Sequence, residues 1–142
     1  MDTDIADRQQ ELTVDAGLAW EVLWAAAQEE GRDASLSVAV VDDAEIRRLN
    51  DRYLARDETT DVLSFGYGGD EDRVEAEVVV NASEAIRRSA DRGHSAHDEL
   101  LLYMVHGFLH AVGYDDLEPE RAARMHERQI QILRRVGRPV ED

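Results

Sequence analysis

The chain has 142 residues, enough for one domain with a full hydrophobic core, and 43% of them are apolar, which supports a folded globule rather than a disordered chain. It carries 32 acidic residues against 16 basic ones, every basic residue is arginine, and the formal net charge is -16. Cysteine is absent, so disulfides and thiolate metal sites are excluded, and no apolar run approaches the roughly 20 residues needed to span a bilayer.

An acidic surface of this kind repels nucleic acid unless the arginines gather in one groove. The start Met1-Asp2-Thr3-Asp4 lacks the basic and then apolar order of a secretory signal, so a cytoplasmic location with no membrane partner is expected. Residues 1–142 read as a single domain, without repeats, low-complexity runs or a proline-rich linker.

Glu11 to Val14 reads as a short first strand. Ala16 to Glu30 follows as a helix with Leu18, Val22 and Ala25 on a buried stripe, and Trp20 and Trp24 are expected to pack in the core. Leu36, Val38 and Val40 alternate with smaller residues, the period of a half-buried strand. Asp42 and Glu45 form a capping box, opening a helix that carries Ile46, Leu49 and Tyr53 inward. Val62 to Phe65 is the next strand. The stretch from Gly66 to Arg73 holds three glycines and several acids and reads as a mobile, exposed loop before a strand at Val74 to Val80. Asn81 with Glu84, and Ser95 with Asp98, repeat the capping pattern for two further helices, the first ending at Gly93. Pro119, a good first-turn residue, starts a last helix running to about Val136. The expected fold is α/β (α+β): a small mixed sheet of about four strands packed with about five helices.

The helix from about Ala96 to Val112 is apolar nearly all round, as expected of a helix inside a fold, yet it carries His106 and His110. Residues four apart share a helix face, so both imidazoles can aim at one point. A reversal at Gly113 can return Asp116 of the Asp115-Asp116 doublet to that point as a third ligand. Three protein donors with one open position characterise a catalytic transition-metal site. Zinc peptidases with two histidines at this spacing place a glutamate directly after the first one as general base. That position is Gly107 here, and Phe108, Leu109 and Ala111 cannot move protons, so a peptidase is not expected.

The stretch from His106 to Asp116 resembles the YbeY-type rRNA maturation factors, metal-dependent endoribonucleases of bacteria. Their signature H-G-x-L-H-x-x-G-Y-D-H is met up to its last residue. Leu49-Asn50, Tyr53, Asp57 and Thr60-Asp61-Val62-Leu63-Ser64-Phe65 are similar to a second family segment, L-N-x-x-Y-R-x-x-D-x-P-T-D-V-L-S-F. Ala76 to Asn81 and Glu99 also fall at the expected places, so the likeness runs from about Leu49 to Leu133. It implies one zinc-like metal at the mouth of a groove. It also implies cleavage of single-stranded RNA in ribosomal RNA processing, near the 3' end of the small-subunit RNA, in contact with small-subunit assembly components. DNA is not an expected substrate.

Three departures from the family pattern matter. Asp116 replaces the third histidine, so the inferred metal set is His106, His110 and Asp116. The carboxylate adds negative charge, weakens the metal as a Lewis acid and widens the choice from zinc toward harder ions such as manganese. Leu54 replaces an arginine thought to face the scissile phosphate, and Arg56 is the nearby basic residue that could substitute in part. Ala76-Glu77 replaces the usual glycine and aspartate.

Arg56, Ser64 and Asp115 are the candidate catalytic residues that follow. Arg56, with Arg47, Arg48 or Arg52, is placed to bind flanking phosphates, although a solvated helix face accounts more simply for Arg47 and Arg48. Ser64 can hydrogen-bond a phosphate or satisfy backbone. Asp115 can orient a metal ligand or cap a turn. His94, His97 and His126 read as surface or groove residues. The alternative to an enzyme is a ribosome-assembly binding factor with a structural metal and little nuclease activity.

An arginine-only, carboxylate-rich surface fits either codon bias or a salt-rich cytoplasm, where the screening length shrinks to about 3 Å near 1 M salt. Under the second account the protein loses stability in dilute buffer. Urea midpoints across a KCl series check this, and a constant midpoint removes the idea.

Overall fold

The computed structural model describes residues 1–69, 72–138 and 140. In chain order its elements are β1 (Asp2–Asp7), α1 (Ala16–Glu29), β2 (Asp33–Val41), α2 (Asp43–Leu54), β3 (Val62–Gly69), β4 (Arg73–Asn81), α3 (Ala82–Arg92), α4 (Ala96–Ala111) and α5 (Pro119–Arg135). The strands form one sheet in the order β1-β2-β4-β3. β1 and β4 run parallel to β2, and β3 pairs antiparallel to β4, as a mixed sheet requires. The expected architecture of four strands and five helices is what the described residues adopt.

Local chemistry fixes most of the helix ends. Asp15, Asp42 and Ser95 accept from the backbone N–H three residues on, at Leu18, Glu45 and Asp98, and so open α1, α2 and α4. Asn81 caps α3 by accepting from Ser83, and Gly93 closes it in the left-handed region at φ 75.

Strand alternation divides the core. Leu36, Val38 and Val40 of β2, with Val74, Ala76, Val78 and Val80 of β4, face the layer built by α1, α3, α4 and α5. Ala39, Val41, Leu63 and Val79 face the other way and, among the described residues, form a smaller cluster with Ile46, Leu49 and Phe65. α2 is therefore a small cover on the second face, while α4 is sandwiched at the centre of the first. Ten of its residues are buried, from Glu99 to Leu109.

Four expectations are corrected. The first strand is Asp2–Asp7, not Glu11 to Val14. The latter segment is a turn in which Gln9 Oε1 accepts from the Glu11 and Leu12 N–H groups. β1 escaped notice because it is an edge strand whose acids face solvent. Trp20 and Trp24 are not in the core; they are 39% and 40% exposed and stack on each other with centroids 6.3 Å apart. Tyr53 is likewise exposed rather than inward. Finally, Gly66 does not begin a loop. β3 continues to Gly69 through a register shift between Gly66 and Gly69, where one extra residue is accommodated. Asp70 and Glu71 of the expected loop lie outside the described residues.

The approach of α4 to the sheet is closest at Gly107. A Cβ there would stand 2.5 Å from Val78 Cγ1 and 3.0 Å from Val62 Cγ2, both on stiff branched side chains. Ser64 Oγ closes the same contact by donating to the Gly107 carbonyl at 2.8 Å. Gly107→Ala should therefore destabilise the fold by about 1–3 kcal/mol, despite alanine's better helix propensity. A urea midpoint at or above that of the native chain would show that the interface has room to spare.

Candidate metal centre

His106 and His110 stand one turn apart near the C-terminal end of α4. Their Nε2 atoms face each other at 3.0 Å, with the ring planes 77° apart. Gln129, buried on α5, sets the first ring by placing Oε1 2.5 Å from His106 Nδ1. An amide oxygen only accepts, so Nδ1 carries the proton and Nε2 presents its lone pair.

Beyond α4 the chain turns back on itself. The Tyr114 N–H bonds to the Leu109 carbonyl and the Gly113 N–H to the His110 carbonyl. Gly113 takes φ 109, a conformation that L side chains rarely adopt. This reversal returns Asp116 to the histidines: the potential ligand atoms of His106, His110 and Asp116 all lie within 4.8 Å of one another. The cluster could therefore hold a divalent metal ion through one donor atom from each of the three residues. Two imidazole nitrogens and a carboxylate oxygen suit zinc and also harder divalent ions.

The surroundings favour the ligand form. Burial holds the His110 imidazole below its ordinary pKa, and the adjacent His106 adds to this. Asp116, the Tyr114 backbone and Asp115 oppose the shift. The neutral ring that a metal requires is thereby the preferred one.

His106 and Asp116 open onto a cavity of about 240 Å³, whose other walls include Asp61, Arg88, Arg92, Tyr103, His126 and Gln129. Arg88 lies 3.6 Å from both Asp61 and Glu84. Arg92 is anchored by Glu99, a fully buried carboxylate 3.0 Å from Nη1 that also meets His94 Nε2 at 2.6 Å. Burial above all, and then Glu99, pushes the Tyr103 hydroxyl well above its ordinary pKa, so it stays protonated.

The remaining sequence candidates fall in different places. Ser64 is committed to the Gly107 carbonyl. Asp115 accepts from the Leu117 N–H at 3.1 Å and from Arg121 at 3.2 Å, which is the work of a turn cap. Arg56 sits exposed after α2 and is not among the residues lining the cavity. Arg47 is held by Asp57 at 2.7 Å. His97 Nε2 accepts from the Asp15 N–H. His94 is nearly enclosed rather than on the surface, while His126 does reach the groove. Sequence reasoning missed Gln129, Arg88 and Arg92. The signal for Gln129 was a polar residue within the apolar stripe of Met125, Ile132 and Leu133.

Two imidazoles and a carboxylate beside an open, arginine-walled cavity define a candidate centre for metal-assisted hydrolysis. Comparisons with known proteins agree in class. The family described as Endoribonuclease YbeY matches residues 4–137. A Rhodopirellula baltica protein of that name is 41% identical over 116 residues, which is 80% of this chain and 60% of the relative. The Carboxydothermus hydrogenoformans protein of the same name is 36% identical over 139 residues, covering 95% of this chain and 97% of the relative. The one from Moorella thermoacetica is 41% identical over 129 residues, covering 82% and 83%. The solution structure of TM1509 from Thermotoga maritima superposes with a TM-score of 0.67 at 26% identity, covering 94% of this chain and 88% of that one. The chain belongs to the Endoribonuclease YbeY family.

Gln129 gives the geometry a direct check. Gln129→Leu preserves volume but frees the His106 ring, and should weaken metal binding about 10–100-fold while the protein stays folded. Chelator competition measures it, and an unchanged affinity would assign the orienting role elsewhere.

Proposed function

We propose that this chain is a metal-dependent endoribonuclease that cuts single-stranded RNA and acts in ribosomal RNA maturation, near the 3' end of the small-subunit RNA. The observation that carries this reading is the His106-His110-Asp116 cluster opening onto a cavity whose other walls present Arg88 and Arg92. Zinc is the proposed ion, with manganese the runner-up because of Asp116. The relatives' shared name supports the RNA substrate. Small-subunit assembly components are the proposed partners, in the cytoplasm.

A divalent ion held by His106, His110 and Asp116 would polarise a phosphate oxygen and acidify a water or ribose hydroxyl. The chain's own residues do the rest. His106 and His110 offer ring nitrogens as donors, and Asp116 adds a charge that favours cation capture. Arg88 and Arg92 offset the charge of a phosphate entering the cavity, and each is already positioned by a carboxylate. Ser64 and Asp115 act indirectly, by holding α4 on β3 and by shaping the turn before Asp116. Arg56 contributes from outside the cavity, to a flanking phosphate.

A binding factor with a purely structural metal would be expected to close the site with a fourth protein donor. The open cavity beside three donors favours chemistry instead.

Metal-loaded protein should cleave single-stranded RNA and leave duplex RNA intact, and His110→Ala should lose roughly 10²–10³-fold in rate. Asp116→Ala should lose metal, whereas Asp116→His should keep or improve zinc occupancy, read by metal analysis. Equal cleavage by the native and His110→Ala proteins would identify a contaminating nuclease and overturn the reading.

A further inference from the structure

On the second face of the sheet, beside α2, lies another hollow of about 240 Å³. Ala39, Val79 and Phe65 form its floor, and Tyr53, Tyr67, Arg8, Arg48 and Arg52 stand around it. The metal centre is on the opposite face. Alternate residues of β3 point to the two sides: Phe65 and Tyr67 toward this hollow, Val62 and Ser64 toward Gly107 of α4. β3 is an outermost strand, so a single sheet edge separates the two places.

The rings here are presented rather than buried. Tyr53 is 57% and Tyr67 63% exposed. Tyr53 is braced edge-on by Phe65 at 5.7 Å, and the Arg52 guanidinium lies 5.3 Å from the Tyr53 ring centroid. Tyr67 sits in the irregular stretch of β3 and is held by its hydroxyl, which donates to Glu77 at 2.8 Å. Exposed, braced aromatic rings beside guanidinium groups are a stacking platform for flat ligands that carry negative charge.

Charge decides which flat ligand. In a chain of net charge -16, three arginines converge on this hollow against one lining carboxylate, Glu77, which Tyr67 already engages. Arg48 is also forked onto Glu45, which holds its guanidinium in place. Beyond Tyr67 the sheet face opens into a larger hollow lined by Asp2, Asp4, Glu75 and Glu77. Those acids disfavour an anion there, and the arginine end of the face is the one that suits it.

We propose that this hollow is a second RNA subsite, in which bases of single-stranded RNA stack on Tyr53 and Tyr67 and their phosphates meet Arg8, Arg48 and Arg52. The strand crosses the β3 edge and reaches the metal centre a few nucleotides away. The choice of RNA as occupant rests on the nuclease reading above.

Binding of a fluorescein-labelled single-stranded RNA of about 12 nucleotides, followed by anisotropy in EDTA, tests the subsite apart from cleavage. The double variant Tyr53→Ala/Tyr67→Ala should bind about tenfold or more weakly, whereas Tyr53→Phe/Tyr67→Phe, which keeps the rings, should stay within about twofold of the native protein. Arg8→Gln/Arg52→Gln should flatten the slope of log affinity against log salt by about 1.4, or roughly 0.7 for each phosphate no longer neutralised. Urea midpoints confirm that each variant is folded. Native affinity in the alanine variant, equal losses in the phenylalanine and alanine variants, or an unchanged salt slope would each overturn the proposal. So would a sedimenting dimer of the native protein that the alanine variant dissociates, since a second copy would then be the occupant. Native protein that binds RNA through these rings yet cuts none overturns the nuclease reading and leaves the subsite standing. Native protein that binds no RNA overturns the subsite itself.

Discussion

The seating of α4 on the sheet at Gly107 is the contact on which the rest of the molecule depends. Val62 and Val78 leave no space for a side chain, and Ser64 ties the helix carbonyl to β3. With the helix pinned one residue after His106, the packing of α4 sets where the two imidazoles stand relative to the strands. The glutamate that a zinc peptidase places after its first histidine could not be accommodated here. Packing and chemistry thus exclude the same enzyme class for independent reasons.

Around that contact the fold supplies what a cation site needs. α5 delivers Gln129 to the first imidazole, and the reversal at Gly113 delivers Asp116. Below the cavity a buried carboxylate, Glu99, is matched by Arg92 and His94. Removing Arg92 would take the guanidinium away from a carboxylate buried in the interior, which is costly in a way that replacing the whole cluster is not. Arg92 is consequently a structural and an electrostatic residue at once.

Much of this was legible in the sequence where the signal is local. Capping side chains at Asp42 and Ser95, the apolar alternation of β2 and the four-residue spacing of the histidines each act within one turn or one strand. What escaped depends on partners distant in the chain. β1 is acidic on its exposed side and is a strand only because β2 lies beside it. Trp20 and Trp24 share a spacing that suits either a core or a surface, and only the position of the other helices decides which. The Arg56, Ser64 and Asp115 roles came from a linear motif, while Arg88, Arg92 and Gln129 lie on helices whose approach to the cavity no local pattern encodes.

The register shift in β3 has a further effect. An outermost strand offers a row of unpaired amide groups to any extended polypeptide, and regular, flat edges invite aggregation. The extra residue between Gly66 and Gly69 breaks that regularity. It therefore guards the outer edge of β3. Deleting one residue there would straighten the ladder and leave a surface prone to intermolecular strand addition.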